Sequence, residues 1–129
     1  MAKRAIVPPE FRAAAEQLKM SPAIVSGDHV FLTGVTGSDA RGHMPGDPET
    51  QIRNAFEKIG LVLRAGGLTF RSVVEMTTYH VDLRKHLEAF INVKDEHVSP
   101  PYPAWTAIGV SGLITEGTLV EIRIIARRQ

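Results

Sequence analysis

No cysteine occurs among the 129 residues. That absence excludes disulfides, thiolate metal sites and a cysteine nucleophile together, and it is compatible with a reducing compartment. An excess of charge is missing as well. Lys and Arg number 15 against 14 Asp and Glu, a net charge of +1, and the basic residues are dispersed among acids. A groove for phosphates would show as a basic stripe, so nucleic acid is not an expected partner. No apolar run approaches the roughly 20 residues that a membrane helix needs. Pro8-Pro9 and charges interrupt the first twelve residues where a leader would be apolar. A cytoplasmic protein without a membrane partner is the expectation.

Motifs for bound groups are also sparse. Neither Gly34…Gly37 nor Gly109…Gly112 opens a helix at phosphate-loop spacing. No serine sits in a nucleophile motif, and Ser111-Gly112 reads as a turn. His80, Asp82 and His86 match no strong ligand pattern and straddle a strand-to-helix junction. No metal and no cofactor are expected.

The composition that remains is 43% hydrophobic and 22% charged, ordinary for a globular chain of this length. No linker or repeat divides it, so residues 1–129 read as one domain. Residues 1–20 look like an irregular lead-in, with a short helical possibility across Arg12–Leu18. Ala23–Ser26 and His29–Thr36 are apolar runs joined by Gly27-Asp28, a tight hairpin signal. Residues 37–47 read as a loop. Asp47 then suits an N-cap and Pro48 the first helical position. Ile52, Ala55, Phe56, Ile59, Val62 and Leu63 follow at the spacing of one buried helix face, and Gly66-Gly67 ends it.

Ser72–Asp82, rich in Val and Thr, reads as a strand. A second helix is expected from about Leu83 to His97, with Leu83, Leu87, Phe90 and Ile91 on one face. Pro100, Pro101 and Pro103 force an extended segment, and strands follow over 104–110 and 119–127. The order β-β-α-β-α-β-β describes an α+β domain with two helices on one face of a mixed sheet.

The last strand speaks about the other face. Val120, Ile122, Ile124 and Ala126 form an apolar row; Leu119, Glu121, Arg123, Ile125 and Arg127 form a mixed one. A subunit interface enclosing a partly polar cleft fits that mixture. An exposed sheet face with stray aliphatics is the alternative.

Taken together, Val30-Phe31-Leu32-Thr33-Gly34, Ala65-Gly66-Gly67, the strand from Val74 to Tyr79, Pro101-Tyr102-Pro103-Ala104 and Leu119-Val120-Glu121-Ile122 resemble the Rid (YjgF) family. Its members are reactive-intermediate imine deaminases, also known as endoribonucleases. The stretch from Pro100 to Val110 resembles the YjgH-like branch. The resemblance implies a chorismate-mutase-like fold and a homotrimer with small-molecule clefts between subunits.

Residue by residue it implies a changed cleft. The arginine that clamps a substrate carboxylate falls at Trp105, whose indole offers one neutral donor in place of two charge-assisted ones. A cleft tyrosine falls at Met20 and a glutamine at Val35. Thr33 replaces a serine, Gly34 is retained, and the water-positioning glutamate falls on Glu121. Trp105 then either walls the cleft or fills it. His80 either replaces a lost polar contact, carrying a proton near neutral pH, or is a satisfied structural histidine. Glu121 either activates a water for addition to an iminium carbon or pairs with Arg123 or a neighbouring subunit.

The implied activity is hydrolysis of imine or enamine intermediates with release of ammonia, on substrates other than the usual carboxylate-bearing ones. A non-catalytic trimer that binds a metabolite or acts as a holdase is the reading from another class. Endoribonuclease activity is the least supported.

Overall fold

A computed structural model describes residues 2–128. Seven strands build one mixed sheet: β1 (Arg4–Ile6), β2 (Ala23–Ser26), β3 (His29–Leu32), β4 (Val35–Thr36), β5 (Val73–His80), β6 (Ala104–Gly109) and β7 (Val120–Arg127). Three helices accompany it: α1 (Arg12–Leu18), α2 (Pro48–Ala65) and α3 (Leu83–Lys94). The sheet runs β1-β2-β3-β7-β5-β6, and β4 also pairs with β7. Only β5 and β6 run parallel, and the crossover that a parallel pair requires is supplied by α3.

Local chemistry explains the best-defined elements. The hairpin closes at Gly27-Asp28, with Ser26 opposite His29 and Gly27 at φ +61, a value glycine adopts without strain. At α2 the Asp47 carboxylate accepts from Thr50 N at 2.9 Å and from Thr50 Oγ1 at 2.7 Å. These bonds hold Asp47 below its ordinary pKa. Gly67 ends the helix at φ +74. Every residue of the expected apolar face is buried, together with Gln51 and Gly60.

Expectation and structure part in three places. The lead-in is not irregular: Arg4, Ala5 and Ile6 pair with β2, a 3-10 turn follows over Pro9–Phe11, and α1 occupies Arg12–Leu18, as its helical pattern suggests. Three residues with one buried side chain carry no readable alternation, so β1 exists because β2 offers it an edge. Helix α3 ends at Lys94, three residues short of His97, and its buried residues are Phe90 and Val93. Leu83, Leu87 and Ile91 are half-buried. The run His29–Thr36 is broken at Thr33-Gly34 into β3 and β4, which pair with successive stretches of β7.

The core lies between the sheet and helices α2 and α3. Val120, Ile122, Ile124 and Ala126 are at most 1% exposed there. Each such Val or Ile side chain contributes about 1.5–3 kcal/mol when taken from water. Gln51, itself fully buried, pins the loops at one end. Its Nε2 donates to Pro45 O at 2.7 Å and to Gly117 O at 2.8 Å, and its Oε1 accepts from Leu119 N at 2.8 Å. Lys58 Nζ donates to Ser38 Oγ at 2.9 Å, and burial lowers its pKa to about 8 against the opposing pull of Asp39. Among the described residues no helix is long and apolar enough to cross a membrane.

Candidate functional site

The face of the sheet turned away from α2 and α3 carries the mixed row of β7. Cross-strand pairing places Thr36 and Tyr79 on either side of Glu121. It sets Thr77 beside Arg123 and Phe31 beside Ile125. All of these are at least partly exposed. Glu121 makes no ion pair among the described residues, Arg123 included, so its carboxylate is not held by its neighbour on the strand. Instead it rests on backbone. A Cβ added at Gly34 would overlap the Glu121 carboxylate, so only glycine lets that side chain lie over the break between β3 and β4.

The segment before β2 joins this corner. Thr33 Oγ1 donates to Ser21 O at 2.6 Å and Thr33 N donates to Pro22 O at 3.0 Å. Met20, half-buried at the end of α1, is thereby carried next to Thr33. Gly34 and Glu121 therefore meet directly in one chain, with Thr33 adjoining Gly34 and tied to the segment that follows Met20.

The other three expected cleft residues are placed differently. Val35 is 9% exposed and packs in the core opposite Ile122, because it follows Gly34 by one residue and alternation turns it inward. It is not a cleft residue. His80 is 1% exposed. Its Nε2 lies 2.7 Å from Thr78 Oγ1, and its ring meets Phe90 edge-on at 4.8 Å. Burial, with His86 adding repulsion, lowers its pKa to about 4. It is neutral at pH 7, which overturns the reading of a proton carrier near neutrality.

Trp105 shares that covered face. Its Nε1 donates to the same Thr78 Oγ1 at 3.0 Å, its ring stacks on Phe90 at 5.8 Å, and Lys94 Nζ lies 4.5 Å from its centroid. Within one subunit, Trp105 and Glu121 are on opposite sides of the sheet. A cleft that contains both needs a second chain.

Two hollows of the single chain lie elsewhere. One of about 410 Å³ is lined by Phe56, Phe70 and His97 among others, and one of about 530 Å³ by Asp82, Leu83 and Gly109 among others. Neither touches Glu121. Among the described residues no cluster of His, Asp and Glu is grouped to hold a metal ion.

Sequence reasoning passed over Thr36, Thr77 and Tyr79. Their period-2 spacing was available, but only the register against β7 sets them beside Glu121 and Arg123.

Comparison with known proteins gives four consistent results. The chain matches the endoribonuclease L-PSP family over residues 12–128. It is 37% identical over 126 residues to the RutC family protein YjgH of Escherichia coli (strain K12), covering 97% of this chain and 95% of that protein. It is 31% identical over 108 residues to a 2-iminobutanoate/2-iminopropanoate deaminase of Capra hircus, covering 82% of this chain and 77% of that protein. The solved structure of protein YJGH superposes with a TM-score of 0.90 at 36% identity, covering 99% of this chain and 98% of that one.

Proposed function

The chain belongs to the endoribonuclease L-PSP (YjgF, or Rid) family, and we propose that it is a divergent imine hydrolase working as a homotrimer. One observation carries this reading: Glu121 stands without an ion pair among the described residues on an uncovered sheet face, its carboxylate laid against Gly34. Such a carboxylate accepts a hydrogen bond from water and takes its proton as the oxygen adds to an iminium carbon. The resulting carbinolamine collapses to a carbonyl, and ammonia leaves. The deaminase named among the relatives supports the reaction class.

A second copy is the natural cover for the open face. Phe31 and Ile108 are each 38% exposed there, and Ile125 is half-buried. These apolar groups flank the polar middle formed by Thr36, Thr77, Glu121 and Arg123. On the resemblance that puts Trp105 at the position of the family's arginine, the cleft has no bidentate grip there, and short imino acids with an adjacent carboxylate are poor substrates.

Ammonia release from a panel of imino acids and uncharged imines, measured on wild type and Glu121→Gln, tests the proposal. Turnover by wild type that Glu121→Gln abolishes supports it; turnover unchanged by Glu121→Gln refutes it. One observation favours a non-catalytic binding protein instead: Trp105 is committed to Thr78 and Phe90 rather than free to meet a ligand. In that case Glu121→Gln leaves ligand affinity intact and wild type releases no ammonia. A net charge of +1 disfavours RNA as substrate.

A further inference from the structure

Arg123 follows Glu121 by two residues on β7, so both side chains leave the same face of the sheet, roughly 7 Å apart at Cα. Thr77 stands directly beside Arg123 on β5. Two carboxylates share the face, Glu121 and, next to Ile125, Glu75. Neither pairs with Arg123, which joins no ion pair among the described residues. Arg127, further along the same row, does have a partner in Asp28 at 4.0 Å.

An exposed arginine without a partner is ordinary; its setting here is not. It stands mid-sheet among the half-exposed groups that a second subunit would cover. Enclosing a guanidinium without an anion is strongly unfavourable. Glu121 could neutralise it only by giving up the water it is proposed to activate. The anion that fits is one brought by the ligand, and a planar guanidinium with a hydroxyl beside it suits a carboxylate held by two parallel bonds.

We infer that Arg123 binds the carboxylate of an imine whose C=N carbon lies at Glu121, the acid group standing several bonds away from that carbon. This deepens the hydrolase reading above and rests on it. The spacing of about 7 Å between the two positions suits an acid group three or so bonds from the C=N carbon better than one bonded directly to it. Arg123 is thus a specificity-determining residue for remote carboxylates, replacing a grip that Trp105 cannot provide.

The test uses the full chain as wild type, Arg123→Met, Arg123→Lys and Glu121→Gln, each checked for folding by circular dichroism. Substrates are 4-iminopentanoate, its methyl ester and 2-iminopropanoate, with ammonia release read above the spontaneous rate. Wild type should prefer 4-iminopentanoate to both others. Arg123→Met should lose about 10- to 100-fold in kcat/KM on that acid, the range for one charge-assisted pair, and change little on the ester. Arg123→Lys should recover part of the loss. Equal losses on acid and ester, or no loss on either, overturn the assignment while leaving the hydrolase reading standing.

If wild type turns over none of the three, the hydrolase reading fails and affinity for the product 4-oxopentanoate decides the rest. At least tenfold weaker binding in Arg123→Met, with none lost in Glu121→Gln, sustains Arg123 as the carboxylate site. Unchanged binding in Arg123→Met removes it.

Discussion

The carboxylate of Glu121 lies in the space that a Cβ on Gly34 would occupy. Chain direction and side-chain position are coupled at this point. β3 and β4 break where glycine stands, and the break seats the Glu121 carboxylate on the open face of the sheet. The obstruction at Gly34 is the end of a flexible side chain, so the fold can absorb a methyl group there while the carboxylate cannot stay.

Gly34→Ala should therefore shift the melting temperature little, a loss of about 1 kcal/mol or less. Cleft function should fall as far as it does in Glu121→Gln. The double variant should be no worse than either single one, since both act on the same carboxylate. Thermal melts and ammonia release on the three proteins check this; additive losses would show that Gly34 acts elsewhere.

Phe31 and Ile125, side by side on the open face, should hold subunits together. Phe31→Glu puts a charge in that contact and should convert the proposed trimer to single chains with unchanged secondary structure. Sedimentation velocity with circular dichroism reads both. An assembly that survives Phe31→Glu places the interface on another surface.

Trp105 is a packing residue on the helix side. Trp105→Arg loses the stack on Phe90 and sets a second cation beside Lys94, so it should destabilise the fold by about 3 kcal/mol. Trp105→Phe keeps a ring on Phe90 and should lose about 1 kcal/mol with the Thr78 hydrogen bond. Urea unfolding at pH 7.5 distinguishes them. Equal stability of Trp105→Arg and wild type would mean that the indole contributes little to the core.

The buried His80 makes stability depend on pH. Its folded pKa of about 4 lies below the ordinary value near 6.5, so the unfolded chain binds the proton more tightly. The stability held by neutral His80 is complete above about pH 6.5 and is lost as pH falls towards 4, on the order of 2–3 kcal/mol in all. Urea unfolding at pH 7.5 and pH 4.5 should show a smaller drop in His80→Leu than in wild type. Identical drops would assign the acid sensitivity to other groups.

Gln51 ties α2 to two loops through three hydrogen bonds. Gln51→Leu takes the partner from two carbonyls and one N–H that are partly shielded from water and should cost about 2–3 kcal/mol. Faster proteolysis near residues 45 and 117 should accompany the loss. A Gln51→Leu protein as stable as wild type would show that water replaces the amide.

Much of this architecture was legible in advance, for reasons that differ between elements. Helix α2 needed only local chemistry: an aspartate cap, a proline start, apolar residues three and four apart and two terminal glycines. The hairpin at Gly27-Asp28 and the apolar row of β7 were equally local. β1 was not, because three residues carry too little pattern and their hydrogen bonds all go to β2. The far end of α3 was misjudged by three residues, since nothing near Lys94 announces a stop.

For the candidate site, likeness to a family pointed to Glu121, Gly34, Thr33 and Met20, and folding brings Glu121 against Gly34. Alternation in β5 correctly placed His80 in one row with Met76 and Thr78. What it left open was the side of the sheet to which that row belongs. A strand pattern shows that neighbouring residues face opposite ways; it does not say which way is covered when both rows mix polar and apolar groups. Packing of α2 and α3 settled the question by enclosing Thr78, His80 and Trp105 with Phe90. The register between β5 and β7 set Thr77 beside Arg123 and Tyr79 beside Glu121. Local sequence determined the elements and their apolar faces, whereas the composition of the site arose from pairings between residues some 40 to 90 positions apart, which only the tertiary structure could make.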